Sequence, residues 1–250
     1  MQYVGSKNRL SKEIIPIIQS YINEDTKGYL EPFVGGANVI DKINCSNKIG
    51  CDIHEELIEL LQYAQNNELP ETITEEEYNH VKNNKEKYPK WYVGLVGFCG
   101  SFGAKYFGGF ARRYNEDGTV FDVPKQAINS LRKQSRLQAF KDIKFICSNF
   151  LDLPKEQIKG YVIYCDIPYK GTTKYIIKGF PYDEFYKWAE EMSKDNVVII
   201  SEYNMPNDFI EIWSKQLKTT LGSGVNKNNN LNRVEKLFTY NKENGYIYKN

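Results

Sequence analysis

The chain has 250 residues, of which 41% are hydrophobic and 26% are charged, and its formal net charge is +1. This composition is typical of a folded protein with a sizeable core and disfavours a fully disordered chain. Apolar runs are short, as at Val197–Ile200, whereas a membrane-spanning helix needs roughly twenty apolar residues. Five cysteines without a CxxC pair favour a reducing compartment over a zinc site or a disulfide framework, so we expect a cytoplasmic protein.

The start of the chain alternates helical and strand patterns. Apolar spacing predicts a helix over Lys12–Ile22, a strand over Tyr29–Phe33, a helix over Asn38–Ile43, a strand over Lys48–Cys51 and a helix over Glu55–Ala64. Strands that alternate with helices predict an α/β protein with a largely parallel sheet.

The segment 66–141 interrupts this alternation. Leu69–Lys90 is charged and predicted to be helical, 94–109 is rich in glycine and aromatic residues, and Gln126–Phe140 has the pattern of a basic amphipathic helix. We therefore predict an inserted, mostly helical subdomain here, within a core formed by the flanking residues, which are 1–65 and 142–250.

The charge of the chain is unevenly distributed. Residues 1–81 carry a net charge of −8, and residues 82–145 carry a net charge of +8. A basic stretch in a nearly neutral protein indicates either a contact with a polyanion or a solvated helical face, and charge alone favours neither.

The α/β pattern returns after the insert. Strands are predicted at Lys144–Cys147, Tyr161–Cys165 and Val197–Ser201, with helices around Lys155–Ile158 and Glu184–Met192 between them. The predicted fold class is therefore α/β throughout the core.

A glycine motif, Glu31–Asn38, lies at a predicted strand-to-helix junction. Glycines at such a junction let the backbone approach a ligand closely, and Asp52 ends the next predicted strand, where an acid can accept hydrogen bonds from ribose hydroxyls. The phosphate-binding GxGxxG and Walker patterns are absent, which favours an adenosine compound without phosphates. Taken alone, a glycine pair after a strand is more often a simple turn.

A second motif, Asp166–Tyr169, follows the apolar strand Tyr161–Tyr164. It places a carboxylate, backbone carbonyls and an aromatic ring in one loop, which suits an exocyclic amine on a flat base. As an isolated tetrapeptide, this pattern is more often a structural turn.

The order of the motifs resembles that of the Dam-like, alpha-group DNA adenine N6-methyltransferases of phages and restriction–modification systems. The resemblance covers nearly the whole chain and rests on the following segments: Tyr3–Lys7, Glu31–Gly36, Cys99–Gly103, Tyr106–Arg112, Asp166–Tyr169, Val198–Tyr203 and Arg233–Glu235. It implies a Rossmann-like S-adenosyl-L-methionine-dependent methyltransferase core with an inserted target-recognition subdomain.

The resemblance also implies roles for individual residues. The residues expected at the cofactor are Tyr3, Lys7, Glu31, Phe33, Gly35, Gly36, Asp52, Asn149, Phe150 and Asp166. The residues expected to be catalytic are Asp166, Ile167, Pro168 and Tyr169. Asp166 and the carbonyl of Ile167 would accept the two N6 hydrogens of a flipped-out adenine, Tyr169 would stack on the base, and no metal is required.

Three positions depart from the family pattern. Ile167 replaces the first proline of the catalytic tetrapeptide and still supplies a backbone carbonyl. Ala37 replaces the last glycine of the cofactor loop, and Asn149 replaces an expected aspartate near the cofactor adenine.

The basic insert is expected to bind double-stranded DNA. The residues expected at DNA are Lys105, Arg112, Arg113, Tyr114, Arg132, Lys133 and Arg136. Four aromatic residues of the insert could wedge into the gap left by the flipped base: Tyr106, Phe107, Phe110 and Tyr114. Phe107 and Phe110 could equally form the core of the insert.

The resemblance implies site-specific methylation of DNA with release of S-adenosyl-L-homocysteine, and family habit alone suggests a GATC-like target. We expect a monomer in a bacterial or phage-infected cell. Two kinds of alternative stay open. One is the same chemistry on cytosine N4, an RNA adenine or a protein glutamine, and the other is a catalytically silent DNA-binding protein. The basic insert favours nucleic acid over protein, and the motif order favours adenine.

Overall fold

A computed structural model describes residues 1–169, 179–217 and 233–240. The chain forms two compact units, Met1–Leu153 and Pro154–Asn250. Within each unit, parallel strands alternate with helices, which confirms the predicted Rossmann-like α/β fold. Among the described residues, no helix is both long and apolar enough to cross a membrane.

The first unit contains most of the helices in the described part of the chain. Its elements are α1 (Ser11–Ser20), β1 (Gly28–Glu31), β2 (Lys48–Asp52), α2 (Glu55–Asn66), α3 (Glu75–Asn83), α4 (Lys90–Cys99), β3 (Arg113–Tyr114), β4 (Val120–Phe121), α5 (Val123–Ser135), α6 (Gln138–Lys141) and β5 (Ile143–Cys147).

Strands β1, β2 and β5 are parallel, with β2 in the middle. All four residues of β1 are buried, as expected for a strand covered on both faces. Glu31 pairs with Gly50, and Asp52 pairs with Cys147. The carboxyl ends of these strands therefore lie at one edge, where α/β proteins bind their ligands.

The segment between α2 and β5 is mostly helical, as predicted. Helix α4 buries every residue from Val93 to Cys99. It lies so close to α2 that a Cβ atom at Gly94 would lie 2.1 Å from the carbonyl oxygen of Glu56. Strands β3 and β4 form an antiparallel pair with exposed Arg113, Tyr114 and Val120. The limits of the insert, 66–141, remain a prediction.

Two predicted helices of the first unit are wrong in extent. Leu69–Lys90 is divided into α3 and a short turn before α4. Helix α3 begins at a capping box formed by Thr74 and Glu77 and ends at its C-cap residue Asn84, whose φ of −138° and ψ of 40° are not helical. Asn38–Ile43 contains only a 3₁₀ turn, Ile40–Lys42. There the carbonyl of Asn38 accepts a 2.6 Å hydrogen bond from Lys42 Nζ rather than closing a helical turn.

Two further helix predictions also change. The predicted helix Gln126–Phe140 is α5 followed by α6, with a break at Arg136 and Leu137. Around Lys155–Ile158, the structure has only a 3₁₀ turn, Lys155–Gln157.

The second unit contains β6 (Tyr161–Asp166), α7 (Tyr182–Met192), β7 (Val197–Glu202), β8 (Phe209–Leu217) and β9 (Arg233–Tyr240). Strands β6 and β7 are parallel, and β9 lies antiparallel between β7 and β8. Asn196 fixes the start of β6, because its Oδ1 accepts from the Tyr161 N–H at 2.9 Å while its Nδ2 donates to Ile158 O at 2.9 Å. Asp166 consequently ends a strand whose other residues are buried.

Candidate active site

The glycine motif forms a tight turn after β1. Gly35 has a φ of +47°, a left-handed backbone that glycine adopts without strain. A Cβ atom at Gly35 would lie 2.8 Å from ring carbons of Tyr3, so a side chain at this position would meet that ring. Ala37, where the family pattern has glycine, also has a positive φ, +55°. Alanine in this conformation costs roughly 1–2 kcal/mol, which explains why glycine is the expected residue.

Asp52 is bonded to this turn. Its Oδ2 accepts the Gly35 N–H at 3.1 Å, and its Oδ1 accepts the His54 N–H at 3.0 Å. Burial raises the pKa of the Asp52 carboxyl, and these two N–H groups act in the opposite direction. Each carboxylate oxygen can accept more than one hydrogen bond, so Asp52 can still accept hydrogen bonds from two hydroxyl groups.

Two aromatic rings lie beside the carboxyl ends of β1 and β5. The ring centroids of Phe33 and Phe150 are 5.4 Å apart, and Phe150 is buried. Asn149 caps the short turn that contains Phe150, because its Oδ1 accepts the Leu151 N–H at 3.0 Å. The aspartate of the family pattern can make the same cap, so the departure at Asn149 preserves the turn.

Three other residues expected at the cofactor lie in this unit, and two of them, Lys7 and Glu31, are buried. Tyr3 packs its ring on Phe98, with centroids 5.6 Å apart. Glu31 is buried and accepts the Tyr29 hydroxyl at 2.8 Å, and Lys7 is buried in the turn before α1. This unit therefore brings together aromatic rings, a glycine turn and the half-buried carboxylate of Asp52.

Gln134 of α5 donates hydrogen bonds to the glycine turn and to a residue that follows it, a role that sequence reasoning missed. Its buried Nε2 donates to Ala37 O at 2.8 Å and to Asp41 Oδ2 at 2.9 Å. The two partners are more than ninety residues away in the chain, so no local pattern indicates this role.

The tetrapeptide Asp166–Tyr169 lies in the second unit. Tyr169 is buried, and its hydroxyl donates to Glu235 on β9. Burial raises the pKa of Tyr169 well above its usual value, and the nearby carboxylates of Asp166 and Glu235 raise it further. The hydroxyl is therefore neutral and acts as a donor.

Two tyrosines support the same loop. Tyr182, in the first turn of α7, donates its hydroxyl to the carbonyl of Pro168 at 2.8 Å. The ring of Tyr203 lies edge-on to that of Tyr169, with centroids 4.5 Å apart. Sequence reasoning did not assign these roles, although the Val198–Tyr203 segment belongs to the family resemblance.

The basic residues expected at DNA differ in their surroundings. Arg112 forms an ion pair with Glu75, including a 3.0 Å contact from Nε to Oε2, and the guanidinium of Arg113 lies 5.0 Å from the ring centre of Phe121. Arg132 donates to the carbonyls of Leu69 and Pro70 at 3.0 and 2.8 Å. The others are exposed: Lys105, Tyr114, Lys133 and Arg136.

Three of the four expected wedge residues pack in one aromatic cluster. Tyr106 contacts His54 with ring centroids 4.4 Å apart, and both Phe107 and Phe110 contact Tyr78. Tyr114 is 65% exposed, and Phe102, which sequence reasoning did not select, is 72% exposed.

Comparison with known proteins finds similarity to DNA methyltransferases. Residues 3–96 match the family model described as D12 class N6 adenine-specific DNA methyltransferase. The chain is 27% identical over 197 residues to Type II methyltransferase M.FokI of Planomicrobium okeanokoites, covering 69% of this chain and 29% of that protein. It is 24% identical over 202 residues to Type II methyltransferase M1.LlaDCHI of Lactococcus lactis subsp. cremoris, covering 69% of each. These matches confirm the resemblance to DNA adenine N6-methyltransferases.

Proposed function

We propose that this protein transfers a methyl group from S-adenosyl-L-methionine to the N6 amine of an adenine in double-stranded DNA. The observation that carries the proposal is the cluster of Tyr3, Gly35 and Asp52, which lies within the residues matched by the adenine-methyltransferase family. The names of the two relatives, both type II methyltransferases, support DNA modification as the activity.

The first unit would hold the cofactor, whose sulfonium group supplies an electrophilic methyl group when bound. Asp52 would accept hydrogen bonds from the ribose hydroxyls, because its two oxygens are already oriented by backbone N–H groups. Phe33 and Phe150 would flank the adenine, and Tyr3 with the glycine turn would contact the methionine portion.

The second unit would activate the target amine. Asp166 and the carbonyl of Ile167 would accept the two N6 hydrogens, while the neighbouring carbonyl of Pro168 already accepts from Tyr182. Acceptor bonds strengthen as positive charge develops on nitrogen, so they stabilise the transition state more than the ground state. The raised pKa of Tyr169 keeps its hydroxyl protonated at neutral pH, so it would not act as a base. We propose that its ring stacks on the adenine.

The target adenine would leave the helical stack, because its N6 atom cannot enter such a pocket from within a duplex. We propose that segment 66–141 recognises the target, that the target is GATC-like, and that the protein acts as a monomer in the cytoplasm. No metal enters the proposed reaction.

The test is methyl transfer from tritiated cofactor to unmethylated plasmid DNA, followed by digestion and separation of the nucleosides. We expect the label in N6-methyl-2′-deoxyadenosine. We expect Asp166→Asn to lose at least 90% of the methyl-transfer rate, since removing one transition-state contact lowers kcat by about 10²- to 10³-fold. Asp208→Asn, at an exposed aspartate of the same unit, is the matched control and should keep the wild-type rate.

Other outcomes contradict the proposal in distinct ways. Label in N4-methylcytosine, or in RNA alone, assigns the chemistry to another amine. Cofactor and DNA binding without any transfer identifies a silent homologue.

A further inference from the structure

A groove of about 530 Å³ follows one face of α5 and ends at β4. Four of its lining residues are Lys125, Gln126, Asn129 and Lys133, which recur at helical spacing and share one face of the helix. We call this surface the α5 groove. No part of the proposed cofactor or amine chemistry uses it.

The opposite face of α5 fixes the orientation of the groove. Ala127, Ile128 and Leu131 are buried, and Gln134 on the same side bonds to the glycine turn. Side chains on the outer face are consequently held on a rigid helix, a better platform for specific recognition than a mobile loop.

The groove carries amide groups with defined surroundings. Asn129 Oδ1 accepts a hydrogen bond from Arg132, whose guanidinium is itself held by the carbonyls of Leu69 and Pro70. The Asn129 side chain is therefore oriented and presents its NH₂ group as a donor. Gln126 is exposed beside it.

The electrostatics of the groove suit a polyanion. Helix α5 contains no acidic residue and carries exposed Lys125 and Lys133. Lys125 Nζ lies 3.7 Å from the exposed carboxylate of Glu71, whereas Lys133 belongs to no ion pair that the structure describes. The nearby Asp122 is engaged within the protein, since it accepts from Thr72 Oγ1 at 2.8 Å and from the Lys125 N–H at 2.8 Å.

We propose that the α5 groove reads base edges of duplex DNA, with Gln126 and Asn129 as specificity-determining residues and Lys133 as a phosphate contact. The major groove of DNA admits an α-helix, and a glutamine or asparagine amide pairs with adenine N6 and N7. The oriented NH₂ of Asn129 matches a base-edge acceptor. The assignment of the groove to target recognition rests on the proposed function.

Methylation profiles test whether Gln126 and Asn129 determine the sequence specificity. Gln126→Ala, Asn129→Ala and the control Asn79→Ala each methylate unmethylated plasmid DNA, and methylation-aware sequencing records the bases around every modified adenine. Alanine is the best helix former, so the variants retain the helix, and Asn79 is an exposed amide on α3.

Each groove variant should lose discrimination at one base position by about 5- to 150-fold, with the other positions unchanged. The Asn79→Ala profile should match that of the wild type. Wild-type profiles for both groove variants would overturn the proposal.

A binding measurement separates this proposal from the proposed function. Fluorescence anisotropy follows a labelled random-sequence duplex at increasing salt, with Lys133→Ala compared with Lys82→Ala, an exposed lysine on α3. Lys133→Ala should reduce the slope of log affinity against log salt by about 0.9, and Lys82→Ala should not.

The outcomes are distinct. Salt-dependent duplex binding through Lys133 without methylation refutes the proposed function and supports the groove as a DNA surface. An unchanged slope for Lys133→Ala, or binding of RNA in preference to duplex DNA, refutes the groove assignment even if methylation occurs.

Discussion

Replacing Asp52 with alanine tests the proposed cofactor site most directly. The carboxylate is oriented by the N–H groups of Gly35 and His54, and its remaining acceptor capacity is proposed to receive the ribose hydroxyls. A hydrogen bond to a charged group contributes about 1.5–3 kcal/mol, so its loss should weaken cofactor binding roughly 10- to 150-fold.

The same substitution should destabilise the folded protein. Two backbone N–H groups lose a charged acceptor, but the cost of burying the carboxylate, which raises its pKa, is also removed. We expect a net loss of about 1–3 kcal/mol in the free energy of unfolding.

The pH dependence of stability has a defined sign. Because burial raises the pKa of Asp52 above 3.8, the folded protein binds this proton more tightly than the unfolded chain. The part of the stability that comes from this raised pKa is therefore fully present below pH 3.8 and is lost as pH rises through the folded-state pKa. The stability difference between wild type and Asp52→Ala should narrow over that range.

Isothermal titration calorimetry with S-adenosyl-L-methionine measures the affinity, and denaturant unfolding at several pH values measures stability. Asp25→Ala, at an exposed aspartate of the same unit, is the control and should match the wild type in both. At saturating cofactor, the turnover of Asp52→Ala should recover toward the wild-type value. An unchanged cofactor affinity in a folded Asp52→Ala protein would remove Asp52 from the site.

Three further predictions concern other parts of the molecule. Gly94→Ala should destabilise the protein by about 3 kcal/mol or more, measured by denaturant unfolding, because the new Cβ would meet backbone at 2.1 Å; a loss below about 1 kcal/mol contradicts this packing. Burial raises the pKa of the Cys51 and Cys99 thiols to about 12, so these two cysteines should react slowly with iodoacetamide in the native protein. Mass spectrometry should find the exposed Cys147 modified, and Cys51 and Cys99 unmodified until the protein is denatured. Tyr169→Phe should lower stability by about 1–3 kcal/mol through the lost bond to a buried carboxylate while methyl transfer falls less than about tenfold; a hundredfold loss of turnover would assign the hydroxyl a chemical role.

Local patterns in the sequence were sufficient for the fold class and for the position of the main motifs. The alternation of apolar runs predicted β1, β2 and β6 with nearly correct limits, because strand and helix periods are properties of neighbouring residues. Parallel strands place their carboxyl ends at one edge, so a carboxylate at the end of β2 follows from the strand alone.

Local patterns failed where a side chain or carbonyl bonds to a distant partner. Asn38–Ile43 has helical spacing, yet Lys42 Nζ donates a hydrogen bond to the carbonyl of Asn38. The carbonyl of Ala37 accepts a hydrogen bond from Gln134, which is 97 residues away in the chain. Arg132 has the sequence character of a phosphate contact, yet it also holds Asn129 and two backbone carbonyls.

The exposure of the aromatic residues in the insert was likewise decided by tertiary packing. Tyr106, Phe107 and Phe110 lie in one glycine-rich stretch with Phe102, and the sequence does not distinguish a buried ring from an exposed one. Tyr78 on α3 packs against Phe107 and Phe110, whereas Phe102 is 72% exposed. The period of a sequence fixes which residues share a face, but only the folded chain brings together the partners that bury one ring and leave another in solvent.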